Sequence, residues 1–255
     1  MKFFKSSLNC VVAVFVLLST FAALYFTCHP HKWYAWQDET DAYIFPITPT
    51  KTPEKWKEFQ TYQEMLNACQ VPEEKLKIIS TEGLIETCIN YPLFANFMLS
   101  DSFAEGYQTL CLNFNGLLEL YKRNDYVEKL LSFFVSIDIN MLKKQNVNAP
   151  LIYRWCCMMI SKNDFIEKLN KQQQQQLLQS LNSQIENIRK NHTDFYSEIT
   201  PLFVKLQVFK HRYDDFNDFC MKRPVLRTFV ETGRWPQVVN NEYENLLAEI
   251  NSKYG

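Results

Sequence analysis

Glycine is scarce in this chain. It occurs 5 times in 255 residues, about 2% of the sequence against roughly 7% in an average protein. Phosphate-cradling loops, nucleophile elbows and tight β-hairpins need glycine at fixed positions, because glycine alone adopts a positive φ without steric cost. The scarcity therefore argues against a Rossmann domain, a P-loop enzyme, an α/β-hydrolase and a hairpin-rich β-barrel.

An excess of charge is also lacking. The 27 Lys and Arg residues are balanced by 28 Asp and Glu residues, which leaves a formal net charge of −1. Proteins that bind nucleic acid through its phosphates generally carry a basic excess that creates an attractive field. We therefore expect no nucleic-acid partner for this chain.

Regular alternation of polar and apolar residues, the pattern of a half-buried strand, is not sustained anywhere. Apolar residues instead recur at spacings of three and four, which is typical of amphipathic helices, and 47% hydrophobic residues suffice for a large core. The sequence predicts an all-α protein, an irregular multi-helix bundle of about ten helices behind an N-terminal membrane helix. Helices are expected at residues 52–69, 72–79, 80–90, 102–122, 124–137, 148–159, shortly after 163, and at 171–190, 202–220, 224–232 and 242–252.

The N-terminus carries the pattern of an anchoring segment. Lys2 and Lys5 precede an apolar run that has no charged side chain from residue 8 to residue 28. This length is close to the ~20 residues that cross a bilayer as a helix. The positive-inside rule places the N-terminus in the cytoplasm and the remaining chain outside it. We therefore predict a single-pass protein that is held in the membrane by residues 8–28, with a periplasmic or extracellular C-terminal domain.

Two alternatives share the pattern of the leader. A cleaved signal peptide, which would give a secreted protein, needs small residues before the cut, and Thr20-Phe21-Ala22 matches but lies inside the apolar run. A bacterial lipoprotein signal would modify Cys28, but the aromatic Phe26 stands where a small residue is expected. The length of the run favours the uncleaved anchor.

The chain divides into three parts. Residues 1–28 form the signal anchor or signal peptide, residues 29–52 a proline- and aromatic-rich linker, and residues 53–255 a single all-α domain. Aromatic residues just beyond a membrane helix suit the interfacial belt, and they equally suit packing onto the domain that follows. The residues in question are Trp33, Tyr34, Trp36, Tyr43 and Phe45.

Three segments carry a resemblance to known sequences. They are residues 64–73 (EMLNACQVPE), 80–92 (STEGLIETCINYP) and 114–123 (FNGLLELYKR). Together they make the region 52–131, about a third of the chain, resemble a group of uncharacterised bacterial helical proteins with no assigned activity. The resemblance implies a helical, exported bacterial protein. The matching residues are mostly caps, helix stops and core positions, so the shared pattern describes a fold.

Six cysteines follow the leader, at positions 69, 88, 111, 156, 157 and 220. They lie on or beside apolar stripes, where a free thiol behaves as a small hydrophobic side chain, and a domain of this size does not need disulfides for stability. One bridge, between Cys69 and Cys88, remains a hypothesis because these residues end consecutive helical units. No C-x-x-C pair is present, which argues against zinc.

Other clusters are weaker still. Cys28, His29 and His31 could bind a soft metal but lack a fourth ligand nearby. His211, Asp215 and Asp218 share one face of the predicted helix, a spacing that suits a metal site or an oriented general base. The opposite face is apolar, which favours a solvated face instead.

A cysteine nucleophile needs a histidine base within reach. Cys220 follows His211 by nine residues, about 13 Å along a helix, which is too far for direct contact. We therefore assign no catalytic, cofactor-binding or metal site to this sequence, and we expect no cofactor.

Two functions remain open. The first is a non-enzymatic interaction or structural domain that is membrane-anchored or exported and meets a protein partner outside the cytoplasm. The alternative is a periplasmic or secreted enzyme or ligand-binding domain with a pocket between helices. A closed apolar cavity that receives His211, Asp215 and Asp218 would favour the alternative, whereas the same residues in solvent beside an exposed aromatic patch would favour the first.

The mature N-terminus tests the leader directly. We expect the chain to fractionate with membranes and to keep Met1, because the apolar run is long and the candidate cleavage site lies inside it. Intact-mass spectrometry of the membrane fraction checks this. An N-terminus near residue 23, or a lipid mass on Cys28, would contradict the anchor.

Overall fold

A computed structural model describes residues 32–34, 36, 39–191, 196–234 and 240–255 of the chain. This part is all-α: it contains fifteen α-helices and one 3-10 helix, and no β-strand. The predicted leader and the Cys28-His29-His31 cluster lie outside the described residues. Within them, no helix has both the length and the apolar character that a membrane crossing requires.

The helices follow one another closely. Their bounds are α1 Pro53–Lys57, α2 Tyr62–Ala68, α3 Glu73–Ile78, α4 Thr81–Ile89, the 3-10 helix Phe94–Leu99, α5 Phe103–Asn113, α6 Asn115–Leu120, α7 Tyr126–Val135, α8 Ile139–Gln145, α9 Ala149–Ile160, α10 Asn163–Lys168, α11 Lys171–Asn191, α12 Ile199–Arg212, α13 Phe216–Met221, α14 Pro224–Thr232 and α15 Asn240–Tyr254.

The number of helices exceeds the prediction for a definite reason. Each of the helices predicted at 52–69, 102–122 and 202–220 is two helices, and α8 and the 3-10 helix were not predicted. The apolar spacing of the sequence continues across every one of these breaks. Periodicity alone therefore merges neighbouring helices into one.

Phe114 causes the break between α5 and α6. Its backbone is extended, at φ −120° and ψ 113°, and its ring stacks on that of Tyr91 with centroids 3.9 Å apart. The ring also lies over Gly116, where a Cβ would stand 2.4 Å from the Phe114 Cζ. The break therefore needs an aromatic side chain at 114 and glycine at 116.

Asn115 satisfies backbone groups near this break. Its Oδ1 accepts from the Val71 N–H at 2.9 Å, and its Nδ2 donates to the Val71 carbonyl at 2.7 Å. Gln70 forms two further bonds in return. Its Oε1 accepts from the Asn115 N–H and its Nε2 donates to the Asn113 carbonyl, both at 3.0 Å. Four hydrogen bonds thus join Gln70 and Val71 to Asn113 and Asn115.

Helix α9 lies at the centre of the molecule. It contacts α4, α7, α8, α12 and the 3-10 helix, and nine of its residues are buried. Trp155 is fully buried and donates from its indole Nε1 to the Cys88 carbonyl at 2.9 Å. The core formed around α9 is one connected cluster that extends from Tyr34 to Tyr254.

The described part of residues 32–52 packs onto the helices. Tyr34 and Phe45 are buried, and the rings of Trp33 and Trp36 contact that of Phe133 on α7. Of the two interpretations of these aromatic residues, the structure shows packing on the domain. An ion pair of 3.1 Å between Lys32 and Glu86 on α4 adds to this contact.

Substitution of Asn115 tests the four-bond contact. Asn115→Ala removes both side-chain bonds to Val71 and should lower the free energy of unfolding by about 2 kcal/mol, because a typical bond contributes about 1 kcal/mol. The control is Asn113→Ala, whose exposed side chain only donates to the Thr109 carbonyl of its own helix. Urea denaturation of the full chain measures both, and equal effects would contradict a special role for Asn115.

Candidate functional site

The structure does not bring His211, Asp215 and Asp218 onto one helical face. Helix α12 ends at Arg212 because Tyr213 is extended, so His211 lies on α12 whereas Asp218 lies on α13. Asp215 and Asp218 are exposed. The prediction of a shared face is therefore wrong, because the break at Tyr213 places His211 and Asp218 on two different helices.

Asp215 and His211 each contact a side chain of another helix. Asp215 forms an ion pair of 2.6 Å with Lys253, and the hydrogen bond in that pair lowers the pKa of Asp215. His211 lies 3.5 Å from Asn163 through Nε2 and Oδ1, and burial lowers its pKa. Neither residue faces a closed apolar cavity.

An exposed aromatic patch beside these residues, which would favour the interaction domain, is not found among the described residues. The large apolar side chains that are exposed among the described residues include one aromatic ring, Tyr62. The others are aliphatic: Ile44, Ile78, Leu99, Leu112, Leu118, Val147 and Met221. Exposed apolar surface is thus present, but it is not an aromatic patch.

The six cysteines of the domain are free thiols, and all are buried. The hypothesised bridge between Cys69 and Cys88 is not formed. Burial raises the pKa of Cys69 to about 12 and that of Cys111 and Cys220 to about 11. Because the thiolate is the reactive form, these thiols are protonated and inert at neutral pH.

Metal ligands are not gathered at any one place in the described part of the chain. No group of three or more His, Cys, Asp or Glu side chains is placed there to hold an ion.

The largest cleft described is a groove of about 560 Å³ between residues 42–51 and 145–148. Tyr91, Phe94 and Ile152 line it together with the two segments. Ile44 and Val147 also line it and are 75% and 92% exposed. The lining also contains hydroxyl and amide side chains, such as those of Thr48 and Asn146. We refer to this cleft as the apolar groove because more of its lining surface is apolar than polar.

Charge is nearly absent from the apolar groove. Its lining contains one basic residue, Lys51, and one acidic residue, Glu86. The Glu86 carboxylate accepts from Lys32 at 3.1 Å and from the Thr40 hydroxyl at 2.6 Å. Glu86 is thus paired with residues that lie outside the groove lining.

Asp41 fixes the segment that forms one wall of the groove. Its carboxylate accepts from the Ser80 N–H at 2.8 Å and from the Ser80 hydroxyl at 2.5 Å. Burial alone would raise the pKa of Asp41, but these hydrogen bonds and the charge of Lys75 lower it. Gly83 makes room, since a Cβ there would stand 2.0 Å from an Asp41 oxygen.

A second cleft, of about 340 Å³, lies between α11, α12 and α15. In it Arg189 forms an ion pair with Glu198, which also accepts from the Tyr243 hydroxyl at 2.6 Å. Lys205 is buried, and its Nζ donates to the Asn251 Oδ1 at 3.0 Å. Burial lowers the pKa of Lys205. These polar groups are paired with one another, so the charges of this cleft are satisfied internally, although most of its lining surface is apolar.

Sequence reasoning missed both clefts. Lys205 stands among Leu202, Leu206 and Phe209 on a helix that is buried on nearly all sides, so its position in the stripe gave no sign of a polar partner on α15. The groove wall came from residues interpreted as a linker. The hydrophobic residues Ile44 and Val147, outside any predicted helix, are the one signal that could have pointed to the groove.

Comparison with protein-family models, with curated proteins and with solved structures finds no match to this chain.

Burial of the thiols predicts their reactivity. In the native full chain at pH 8, iodoacetamide should label none of the six domain cysteines within an hour, because thiolate is scarce far below a pKa of about 11. All six should be labelled in 6 M guanidinium. Peptide-level mass spectrometry reads each site, and rapid native labelling of any of the six would contradict the buried thiol assignment.

Proposed function

We propose that this chain is a non-enzymatic helical interaction domain, anchored in the membrane by residues 8–28 and exposed outside the cytoplasm, that binds a segment of a partner protein in the apolar groove. The observation that carries the proposal is the pair Ile44 and Val147. Both are large aliphatic side chains, they are 75% and 92% exposed, and both line the largest described cleft.

The chemistry of the groove favours binding over catalysis. A catalytic site generally gathers titratable groups whose pKa values are tuned by their surroundings. The groove offers Lys51 and a Glu86 that is engaged by Lys32 and Thr40. Exposed apolar surface that is bounded by polar residues is instead typical of protein interaction sites.

The occupant follows from this lining. One positive and one negative residue leave the groove without net charge, so a charged segment would lose hydration there and gain no partner. Tyr91, Phe94 and Ile152 provide apolar contact surface. We therefore propose an uncharged, apolar peptide segment as the ligand.

The anchor would hold this groove close to the bilayer. Lys32 is attached to α4 through Glu86, and it follows Cys28, the end of the apolar run, by four residues. Four Cα–Cα steps span at most about 15 Å. The domain would thus present the groove to partners at the membrane surface and not at the end of a long tether.

A peptide selection tests the proposal. The full chain in detergent micelles is used to select peptides from a random dodecapeptide phage library. Peptides that bind are then measured against Ile44→Asp and against Ile78→Asp. The two positions match closely, because both are isoleucines with 75% of the residue exposed, but only Ile44 lines the groove.

The proposal expects apolar, uncharged peptides that bind the native chain and Ile78→Asp equally. Ile44→Asp should weaken them at least tenfold, because it places a charge in the apolar contact. Selected peptides that bind Ile44→Asp as tightly as the native chain, or that are rich in charge, would contradict the proposal.

A further inference from the structure

Two arginines meet over one phenylalanine ring away from the groove. Phe103 is the first residue of α5, and its ring centroid lies 5.2 Å from the guanidinium carbon of Arg154 and 4.5 Å from that of Arg234. Arg154 projects from α9, whereas Arg234 directly follows α14. The separation of the two guanidinium carbons cannot exceed the sum of these distances.

Arg234 is held in place by backbone groups. Its Nη2 donates to the Met98 carbonyl at 3.0 Å and to the Ser100 carbonyl. The residue before it, Gly233, ends α14 in the left-handed region at φ 73°, a conformation that favours glycine. A Cβ at Gly233 would lie 3.4 Å from the Phe103 Cβ and 3.5 Å from the Phe203 ring, so the turn is packed against the Phe103 side chain.

Arg154 is held from the opposite side. Its Nε donates to the Thr200 hydroxyl at 3.4 Å, and its Nη1 lies 3.7 Å from the Met98 sulfur. Both guanidinium groups therefore contact Met98, through its side chain and its carbonyl respectively. Both residues are half-buried, so each keeps a face that solvent or a ligand can reach.

Acidic partners are missing from this pair. Among the described residues, neither Arg154 nor Arg234 forms an ion pair, whereas four other arginines do: Arg123 with Glu119, Arg189 with Glu198, Arg223 with Glu249 and Arg227 with Glu231. Burial lowers the pKa of Arg154, and the charge of Arg234 lowers it further. Two like charges are thus held together in a partly desolvated place.

A donor is also left over. The Nε of Arg234 is buried and has no hydrogen-bond partner among the described residues, and an unmatched buried donor on a charged group is costly. Helices α5 and α12 both begin here, at Phe103 and beside Thr200, and the beginning of a helix carries partial positive charge. An anion beside the two guanidinium groups would offset this positive charge and would accept from the nitrogen atoms that make no hydrogen bond within the described residues, the Arg154 Nη2 and the Arg234 Nη1.

We propose that Arg154 and Arg234 bind the phosphate group of a ligand. A phosphate oxygen accepts readily from a guanidinium fork, and paired arginines suit its charge and geometry. The neutral groups that the pair already contacts, Met98, Ser100 and Thr200, position the forks without neutralising them. The Phe103 ring contacts both guanidinium groups.

Inorganic phosphate is the first probe. Its binding to the full chain in detergent micelles is measured by isothermal titration calorimetry at constant ionic strength, with chloride as the exchanged anion. Arg154→Lys and Arg234→Lys keep the charge but replace the planar guanidinium by a single ammonium group, and each should weaken phosphate binding at least tenfold. Circular dichroism establishes that each variant is folded.

Arg212→Gln is the matched control. Arg212 also has no acidic partner in the described part and lies over an aromatic ring, that of Tyr213 at 5.7 Å, but it is exposed and bonded to Gln175. Its loss should leave phosphate binding unchanged. No phosphate binding by the native chain, or equal weakening by Arg212→Gln and by the two Lys variants, would overturn the proposal.

A second arm identifies the source of the phosphate. Glycerol 3-phosphate and monomeric dihexanoyl phosphatidic acid carry the same group on a soluble and on a lipid scaffold. Tighter binding of the second assigns a lipid headgroup, and equal binding assigns a soluble phosphate ester. In either case the affinity must fall in Arg154→Lys and Arg234→Lys, and affinity that survives in both variants contradicts the site.

Discussion

The contact of Asp41 with the first turn of α4 is the constraint on which the groove depends. Ser80 caps α4 by accepting from the Gly83 N–H at 3.0 Å, and the same hydroxyl donates to Asp41. Asp41 thereby adds a carboxylate to a helix N-terminus, where negative charge is favourable. Because Gly83 has no side chain, the segment after Trp36 can lie directly against the helix. The apolar groove exists between that segment and residues 145–148.

The scarcity of glycine has a structural counterpart in how helices end. Among the described residues, one glycine has a positive φ, Gly233. Gly83 and Gly116 serve instead for close approach, of Asp41 and of the Phe114 ring. At the turn between α5 and α6, the side chain of Asn115 bonds the backbone of a segment far away in sequence. A polar side chain, and not a glycine with positive φ, therefore fastens this turn.

The sequence predicted the helices well where local signals define them. The cap at Ser80 is observed, and so are the helix that begins near Asn148 and the long helix from Lys171. The breaks at Phe114 and Tyr213 could not be predicted, because apolar spacing continues across them. Both residues contact remote segments: Phe114 stacks on Tyr91, and the Tyr213 hydroxyl donates to the Tyr254 carbonyl. The apolar groove was not predicted for the same reason. His211 and Asp215 look adjacent only if the helix continues, whereas the groove arises when a segment that resembles a linker packs on the domain.

Hydrogen exchange measures whether the segment that contains Asp41 is docked on α4. In the full chain, the amide of Tyr43, which donates to the Thr87 hydroxyl at 2.8 Å, and that of Ser80 should exchange much more slowly than in an unstructured peptide. Asp41→Ala should accelerate both and leave the amides of α9 unchanged. Exchange of Tyr43 in the native chain at the rate of an unstructured peptide would contradict the account.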